Sequence, residues 1–372
     1  MKTLAIETSC DDTSLAIVSF DWTIFSVEKM LAYTQTTEHA QRGGVVPELS
    51  ARIHADKILV VLEELWGEAL RDEIDFISVT SHPGLPGALI VGITTAYSLS
   101  DLRKKPVVEV NHIMGHVFSI LIDRKTSILQ LPYLCLTVSG GHNDLYLVED
   151  EESMTDDDIW LWGNEERVSK DTLQASEIVS EKAHTKYQHI AVWDNLEVWP
   201  YRITKLGQTI DDAGGEAFDK VARMLWGPYP GGKRVSDVAA WGKANEQIDL
   251  HAATLPDQPL NFSFSGIKSQ VHNLVESWKL DMQDDTVKAD IAWRFQEEVT
   301  RNLADKLALA ADKYFPKTIG IVGGVSANTR LREEVASHPD LFDQMLRVPK
   351  TFAYCTDNAA MIGVVGLLMN TE

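Results

Sequence analysis

A chain of 372 residues, 44% hydrophobic and 24% charged, is long enough for two globular domains and too apolar to be disordered. It has no apolar run near the roughly 20 residues of a membrane helix, and a net charge of -21 is opposite to that of a chain binding nucleic acid unaided. Either the substrate is not nucleic acid, or a basic surface is local, or a partner supplies it.

The chain enters a strand at once, with Lys2 as its only early basic residue, which predicts neither a secretory signal nor an Arg-rich transit peptide. Cys10, Cys135 and Cys355 lie far apart without pair spacing, which suits a reducing cytoplasm. Thr3–Ile6 and Leu15–Val18 read as strands around the polar turn ETSCDDTS, a hairpin. Such a turn offers hydroxyls, amides and carboxylates to a phosphate and its cation, though alone it reads equally as an ordinary turn. His39–Glu48 reads as a loop and Leu49–Trp66 as a helix burying Ile53, Ile58, Val61, Leu62 and Leu65. The strand Phe76–Thr80 ends in His82-Pro83-Gly84-Leu85-Pro86-Gly87, a strand-to-helix turn whose amides could also hold an anion.

Pro106–Val110 reads as a buried strand. The sequence NHIMGH then puts His112 and His116 at i and i+4 on one face of a helix ending near Asp123–Ser127, a spacing at which two imidazoles can share a metal ion. The metalloprotease pattern needs Glu where Ile113 stands. Tyr133–Val138, the turn SGGHND and Leu145–Val148 form a second strand–turn–strand, which suggests a duplicated architecture. The stretch from Glu149 to about Pro200 is acidic and reads as an insertion, with a hairpin and a helix over Thr172–His184. Gly207–Lys220 leads into a helix that Tyr229-Pro230-Gly231-Gly232 is expected to end. Phe262–Lys268 is a strand-turn into a helix, Ala289–Tyr314 a long amphipathic helix, and Ile319–Val322 a strand feeding GGVSAN. In the last block, Thr356 or Asp357 should cap a final apolar helix, Ala359–Met369.

These glycine turns match neither the dinucleotide fingerprint nor the P-loop. In order, ETSCDDTS, HAQRGGVVPE, PGLPGALIVG, NHIMGH, VSGGHNDL, DDAGGEAFDK, YPGG, FSFSGIK, GGVSAN and CTDNAAMIG resemble the tRNA adenosine threonylcarbamoyltransferase family, TsaD, from Lys2 to about Gly366. The resemblance implies a two-lobed, actin-like α/β fold with RNase H-like sheets and a cleft between the lobes. It implies an N-terminal lobe over 1–128, to which the final helix (357–372) returns, and a C-terminal lobe over 129–356 carrying the insertion at about 150–200. The activity implied is transfer of threonylcarbamoyl from threonylcarbamoyl-AMP to N6 of adenosine 37 in tRNAs reading ANN codons. By matching position, His112, His116 and Asp357 would bind one divalent metal per subunit, iron favoured over zinc, with magnesium possible beside the nucleotide. Thr137, Val138, Ser139, Gly140, Gly141, Asp219, Gly232 and Asn328 would contact the adenylate, and Asp11, matching an acidic residue of the family near the reacting group, would be catalytic. The partners implied are tRNA, a pseudo-enzyme of the same fold and a small ATPase, with no membrane. The insertion is absent from typical members, and the chain stops soon after the final helix without their basic tail, so tRNA docking is expected to differ.

A carbamoyl-adenylate is already activated, so the enzyme has chiefly to position the amine and stabilise developing charge. An actin-like kinase would share the hairpins but would have no use for NHIMGH plus a distant TDN. A non-catalytic scaffold paralogue would have lost the histidines, and both are present.

Overall fold

The computed structural model describes all residues except 41, 43, 67–73, 151–194, 199–200, 228–230, 278–279 and 371–372. The N-terminal strands are continuous apolar runs, and the two-residue repeat of a strand sorts their side chains onto two buried faces. Leu4, Ile6, Leu15 and Ile17 join one apolar cluster, while Ala5, Ala16 and Val18 join another. Strands β1 (Lys2–Glu7), β2 (Asp12–Phe20), β3 (Phe25–Thr34), β4 (Phe76–His82) and β5 (Val107–Asn111) lie in the order β3-β2-β1-β4-β5. The first three are antiparallel and β4 and β5 run parallel to β1.

The second sheet contains β6 (Tyr133–Val138), β7 (Asn143–Asp150), β8 (Asn195–Val198), β9 (Tyr201–Gln208), β10 (Thr318–Val322) and β11 (Met345–Arg347), ordered β11-β10-β6-β7-β9-β8. Omitting β8, this repeats the first sheet: an antiparallel trio β9-β7-β6, then β10 and β11 parallel to β6. The duplication expected from the two hairpins is therefore present in the topology, and the architecture is the two-lobed actin-like α/β fold.

The helices are α1 (Thr36–Ala40), α2 (Pro47–Trp66), α3 (Pro86–Arg103), α4 (His112–Phe118), α5 (Gly214–Trp226), α6 (Gly232–Ala239), α7 (Ser265–Glu276), α8 (Asp285–Tyr314), α9 (Thr329–Ser337) and α10 (Ala359–Leu368). Every residue of α4 and α10 is buried. A helix apolar all round needs neighbours on all sides. These two share one core with Ala5 and Val18 of the first sheet and with Tyr133, Cys135 and Val322 of the second. The glycines of α10 permit this crowding: a Cβ at Gly363 would come 2.5 Å from Val18, and one at Gly366 would overlap Ser78. Ser78 Oγ is itself held 2.9 Å from Thr3 Oγ1 and cannot swing away freely. Gly366→Ala should therefore cost about 1–3 kcal/mol, read as a lower urea midpoint.

Several sequence expectations are corrected. The strand β3 was not foreseen, because its burial is broken by charged and polar positions. The stretch read as a loop from His39 contains the end of α1, and α2 starts at Pro47, where proline suits a first turn. α4 stops at Phe118 and continues only as a short 3-10 turn to Leu121. α5 ends at Trp226, because Gly227, with a φ of 106°, breaks the helix, and Gly232 opens α6 rather than closing α5. α8 begins at Asp285, capped by Asp284, and Phe262 makes only an isolated bridge to Thr209. Asn358, not Thr356 or Asp357, caps α10: its Oδ1 accepts from the Met361 amide at 3.0 Å. The helix expected over Thr172–His184 lies outside the described residues.

Candidate functional site

β5 delivers the chain to α4 at the carboxyl edge of the first sheet. Asn111 caps that helix, its Oδ1 accepting from Ile113 at 2.8 Å and Met114 at 3.2 Å. One helical turn then sets His112 and His116 side by side, their ring centroids 4.8 Å apart. The chain returns 241 positions later: His116 Nε2 lies 3.1 Å from Asp357 Oδ1, and His112 Nε2 lies 3.6 Å from the same oxygen. Ligand atoms of all three residues fall within 4.8 Å of one another.

Behind this group stands a carboxylate that the sequence reading passed over. Glu7, at the end of β1, is 0% exposed. Its Oε1 accepts from the Ser9 amide at 2.5 Å, and its Oε2 accepts from Thr80 Oγ1 at 2.5 Å and lies 3.0 Å from His112 Nδ1. An ionised carboxylate only accepts, so Nδ1 keeps a proton directed at Glu7, and Nε2, which faces Asp357, is the nitrogen that a metal would take in place of its proton. Burial disfavours the charge on Glu7, yet His112 outweighs it and keeps the carboxyl below its usual range. Burial likewise opposes a charge on His112, but Glu7 and Asp357 push its pKa up to about 9. Asp357 is held low by the two histidines against the pull of burial. Two imidazole nitrogens and one carboxylate oxygen, converging with a buried carboxylate behind one ring, suit a divalent transition metal.

Asp11 lies at the same rim. Burial first, and then the charge of Asp357, raise its carboxyl above the ordinary range. The neighbouring Asp12 is pushed up to about 7 by burial and by Asp11.

The turns of the second sheet form a separate cluster. Gly215 donates its amide to Ser139 O at 3.2 Å, and a Cβ there would lie 2.5 Å from that oxygen. Gly323, with a φ of 86°, packs its Cα against Val138 O, where a Cβ would come within 2.5 Å. Ser139 Oγ accepts from the His142 amide at 3.1 Å, while Gly140 and Gly141 are exposed with open space above them. Val138 has a fully buried side chain, so only its backbone is available to a ligand, and Thr137 Oγ1 is engaged with the backbone of Asp144. Asp219 Oδ1 accepts from the amides of Gly231 at 2.8 Å and Gly232 at 2.6 Å, fastening the start of α6. Further along α6, Ser236 Oγ accepts from Asn328 Nδ2 at 2.9 Å, and Asn328 Oδ1 caps α9 through Leu331. The structure thus strings Asp219, Gly232 and Asn328 along one hydrogen-bonded path.

His142, also passed over in the sequence, links the clusters electrically. Burial lowers its pKa, as do the charges of His112 and His116, while Asp144 raises it. Both missed residues stood inside quoted motifs, Glu7 in ETSCDDTS and His142 in VSGGHNDL. A charged residue ending an otherwise apolar strand was the available signal for Glu7.

The family model described as tRNA N6-adenosine threonylcarbamoyltransferase, TsaD, matches residues 27–159 and 196–364. A tRNA N6-adenosine threonylcarbamoyltransferase of Bacillus licheniformis is 36% identical over 370 residues, covering 98% of this chain and 90% of that protein. One of Geobacter sulfurreducens is 36% identical over 372 residues, covering 98% and 91%. Among solved structures, full-length HypF in its phosphate- and nucleotide-bound form superposes with a TM-score of 0.53 at 12% identity, covering 99% of this chain and 46% of that one. HypF of T. kodakarensis gives 0.53 at 11%, covering 99% and 47%. At these identities the likeness concerns the fold alone.

Proposed function

The chain belongs to the tRNA N6-adenosine threonylcarbamoyltransferase family, and from that premise we propose how its residues carry out the transfer of threonylcarbamoyl to N6 of an adenosine in tRNA. The observation that carries the proposal is the convergence of His112, His116 and Asp357 with Glu7 behind them. These three residues would hold one divalent metal ion. Iron is favoured, because two histidines and one carboxylate leave open positions in the manner of non-haem iron sites, with zinc the next candidate. Bound there, the ion supplies a positive charge for the donor's carbonyl or phosphate oxygen.

The donor is threonylcarbamoyl-AMP, with magnesium possible beside its phosphate. The exposed Ser139-Gly140-Gly141 backbone, Asp219, Gly232 and Asn328 bind and orient it, with Thr137 and Val138 shaping the strand beneath. The adenosine N6 forms a bond to the carbamoyl carbon, the bond from that carbon to the phosphate oxygen breaks, and AMP leaves. Asp11, whose carboxyl is held above its ordinary range, takes the proton that the amine loses.

Residues 1–128 with the final helix form one lobe, and 129–356 form the other with the insertion. Residues 160–195 fall between the two stretches matched by the family model. β7 and β9 already pair directly, Asp150 opposing Tyr201. Excising 151–200 and joining these two residues by an Asn-Gly turn should restore a plain hairpin, leaving a folded protein with unchanged metal content. Loss of metal binding in that deletion would place the insert in the core.

A pseudo-enzyme of the same fold and a small ATPase complete the reaction in the cytoplasm, since a chain of charge -21 holds tRNA weakly alone. Three free thiols suit that compartment, and no described helix is long and apolar enough to cross a membrane. The test supplies threonylcarbamoyl-AMP and tRNA to the purified protein, with and without these partners, and measures metal content, AMP release and modified adenosine. AMP release without modified adenosine would sink the reading.

A further inference from the structure

Several cations of this acidic chain are matched to carboxylates, as in Lys205 with Asp144, Lys268 with Asp212 and Arg330 with Glu297. Five others gather around one crossing of the chain without such a partner. The segment that crosses from β11 back to Asp357 carries Arg347 and Lys350, Arg124 and Arg332 lie against the same crossing, and Lys125 follows Arg124 in the chain. Arg124 Nη1 donates to Val348 O at 2.9 Å, Lys350 Nζ donates to Asp123 O at 3.3 Å, and Arg332 Nη2 lies 3.8 Å from Cys355 Sγ. None of the five has a carboxylate within 4.0 Å among the described residues, and Arg347 Nε is buried with no partner. Asp123, next to Arg124 in the chain, turns its carboxylate elsewhere: it accepts from the Val27 amide at 2.9 Å and from Tyr354 Oη at 2.8 Å. Burial lowers the pKa of Arg124, and so does the charge of Arg347 beside it.

Two adjacent guanidiniums satisfied only by a carbonyl and a thioether retain most of their donors, and like charges held together without an anion are unfavourable. In a chain with 55 acidic residues against 34 basic ones, pairing partners were plentiful. The crossing also ends two residues after Cys355 at Asp357, so the surface borders the candidate site. We propose that Arg124, Lys125, Arg332, Arg347 and Lys350 receive phosphates of the tRNA backbone, and that this local patch offsets the chain's overall negative charge. Phosphate contacts fix register and orientation without reading sequence, which is what an enzyme needs in order to bring one adenosine to its cleft.

This inference rests on the reading that the chain modifies tRNA. The test uses Lys125→Gln with Lys350→Gln, two exposed side chains, and Arg347→Gln separately, in the full complex. Binding of tRNA is followed by fluorescence anisotropy across a salt series, beside KM for tRNA, kcat, metal content and melting temperature. The logarithmic salt slope should become shallower by about 0.7–0.9 for each phosphate no longer neutralised. KM for tRNA should rise several-fold while kcat, metal content and melting temperature hold. Modified adenosine forming with unchanged slope and KM would overturn the patch and leave the function standing. An unchanged slope with loss of a protein partner would assign the surface to that partner instead. Failure of the unaltered complex to bind or modify tRNA would overturn both.

Discussion

Asp357→Asn should strip the metal from the protein while leaving its melting temperature almost unchanged. The substitution is close to isosteric, at a side chain whose Oδ1 faces His116 Nε2 at 3.1 Å and His112 Nε2 at 3.6 Å. It removes the only carboxylate in the three-residue group. The cap of α10 belongs to Asn358 and is untouched. Metal content, measured by mass spectrometry of the purified protein, should fall well below one ion per chain. Turnover should drop about 1000-fold, the equivalent of several kcal/mol of lost electrostatic stabilisation. His112→Ala and His116→Ala should each lose the metal as well. The reverse pattern identifies the cap: Asn358→Ala should retain the metal and lose about 1 kcal/mol of stability. Full metal occupancy and turnover in Asp357→Asn would remove Asp357 from the ligand set.

Glu7 separates orientation from ligation. Glu7→Gln keeps the volume but exchanges one accepting oxygen for a donor, in a pocket where the Ser9 amide and Thr80 Oγ1 already donate and His112 Nδ1 waits at 3.0 Å. Metal affinity should fall by about 10–100-fold, the usual effect of losing the acceptor behind a ligating histidine. Glu7→Ala goes further. It leaves the Ser9 amide and the Thr80 hydroxyl without their acceptor at a position with no solvent access, and takes from the protonated His112 one of its two carboxylates, which should cost about 3–5 kcal/mol. Titration of the metal-free protein with zinc or cobalt reads the first effect, and denaturant unfolding reads the second. Equal metal affinity in Glu7→Gln and the unaltered chain would reduce Glu7 to a structural residue.

Local chemistry made much of this protein legible before its fold was known. The short apolar runs Thr3–Ile6 and Tyr133–Val138, each running into a polar turn, marked the two founding strands, and the strand-turn-strand pairs marked the duplication. The i and i+4 spacing of His112 and His116 placed both imidazoles on one helix face, because a helix repeats every 3.6 residues whatever surrounds it. The ordered motifs pointed to the family, and the mismatch between -21 and an RNA substrate was plain from the composition.

Contacts between distant segments depended on packing. Thr356, Asp357 and Asn358 are all acceptable caps by residue type, and only the path of the chain into α10 decides that Asn358 turns inward while Asp357 faces the histidines. Glu7 and His112 stand 105 positions apart and meet because β1 and β4 pair in parallel and β5 follows β4. The extent of α5 and α6 turned on Gly227 and on the Asp219 carboxylate, which draws the Gly231 and Gly232 amides into the start of a new helix. The cations gathered at the crossing are spread from Arg124 to Lys350 in the sequence, and only the packing of the Asp123–Arg124 turn against residues 348–350 brings them together. Sequence periodicity sets which way a side chain points along its own element; which remote side chain it meets is decided by the packing of sheets and helices around a common core.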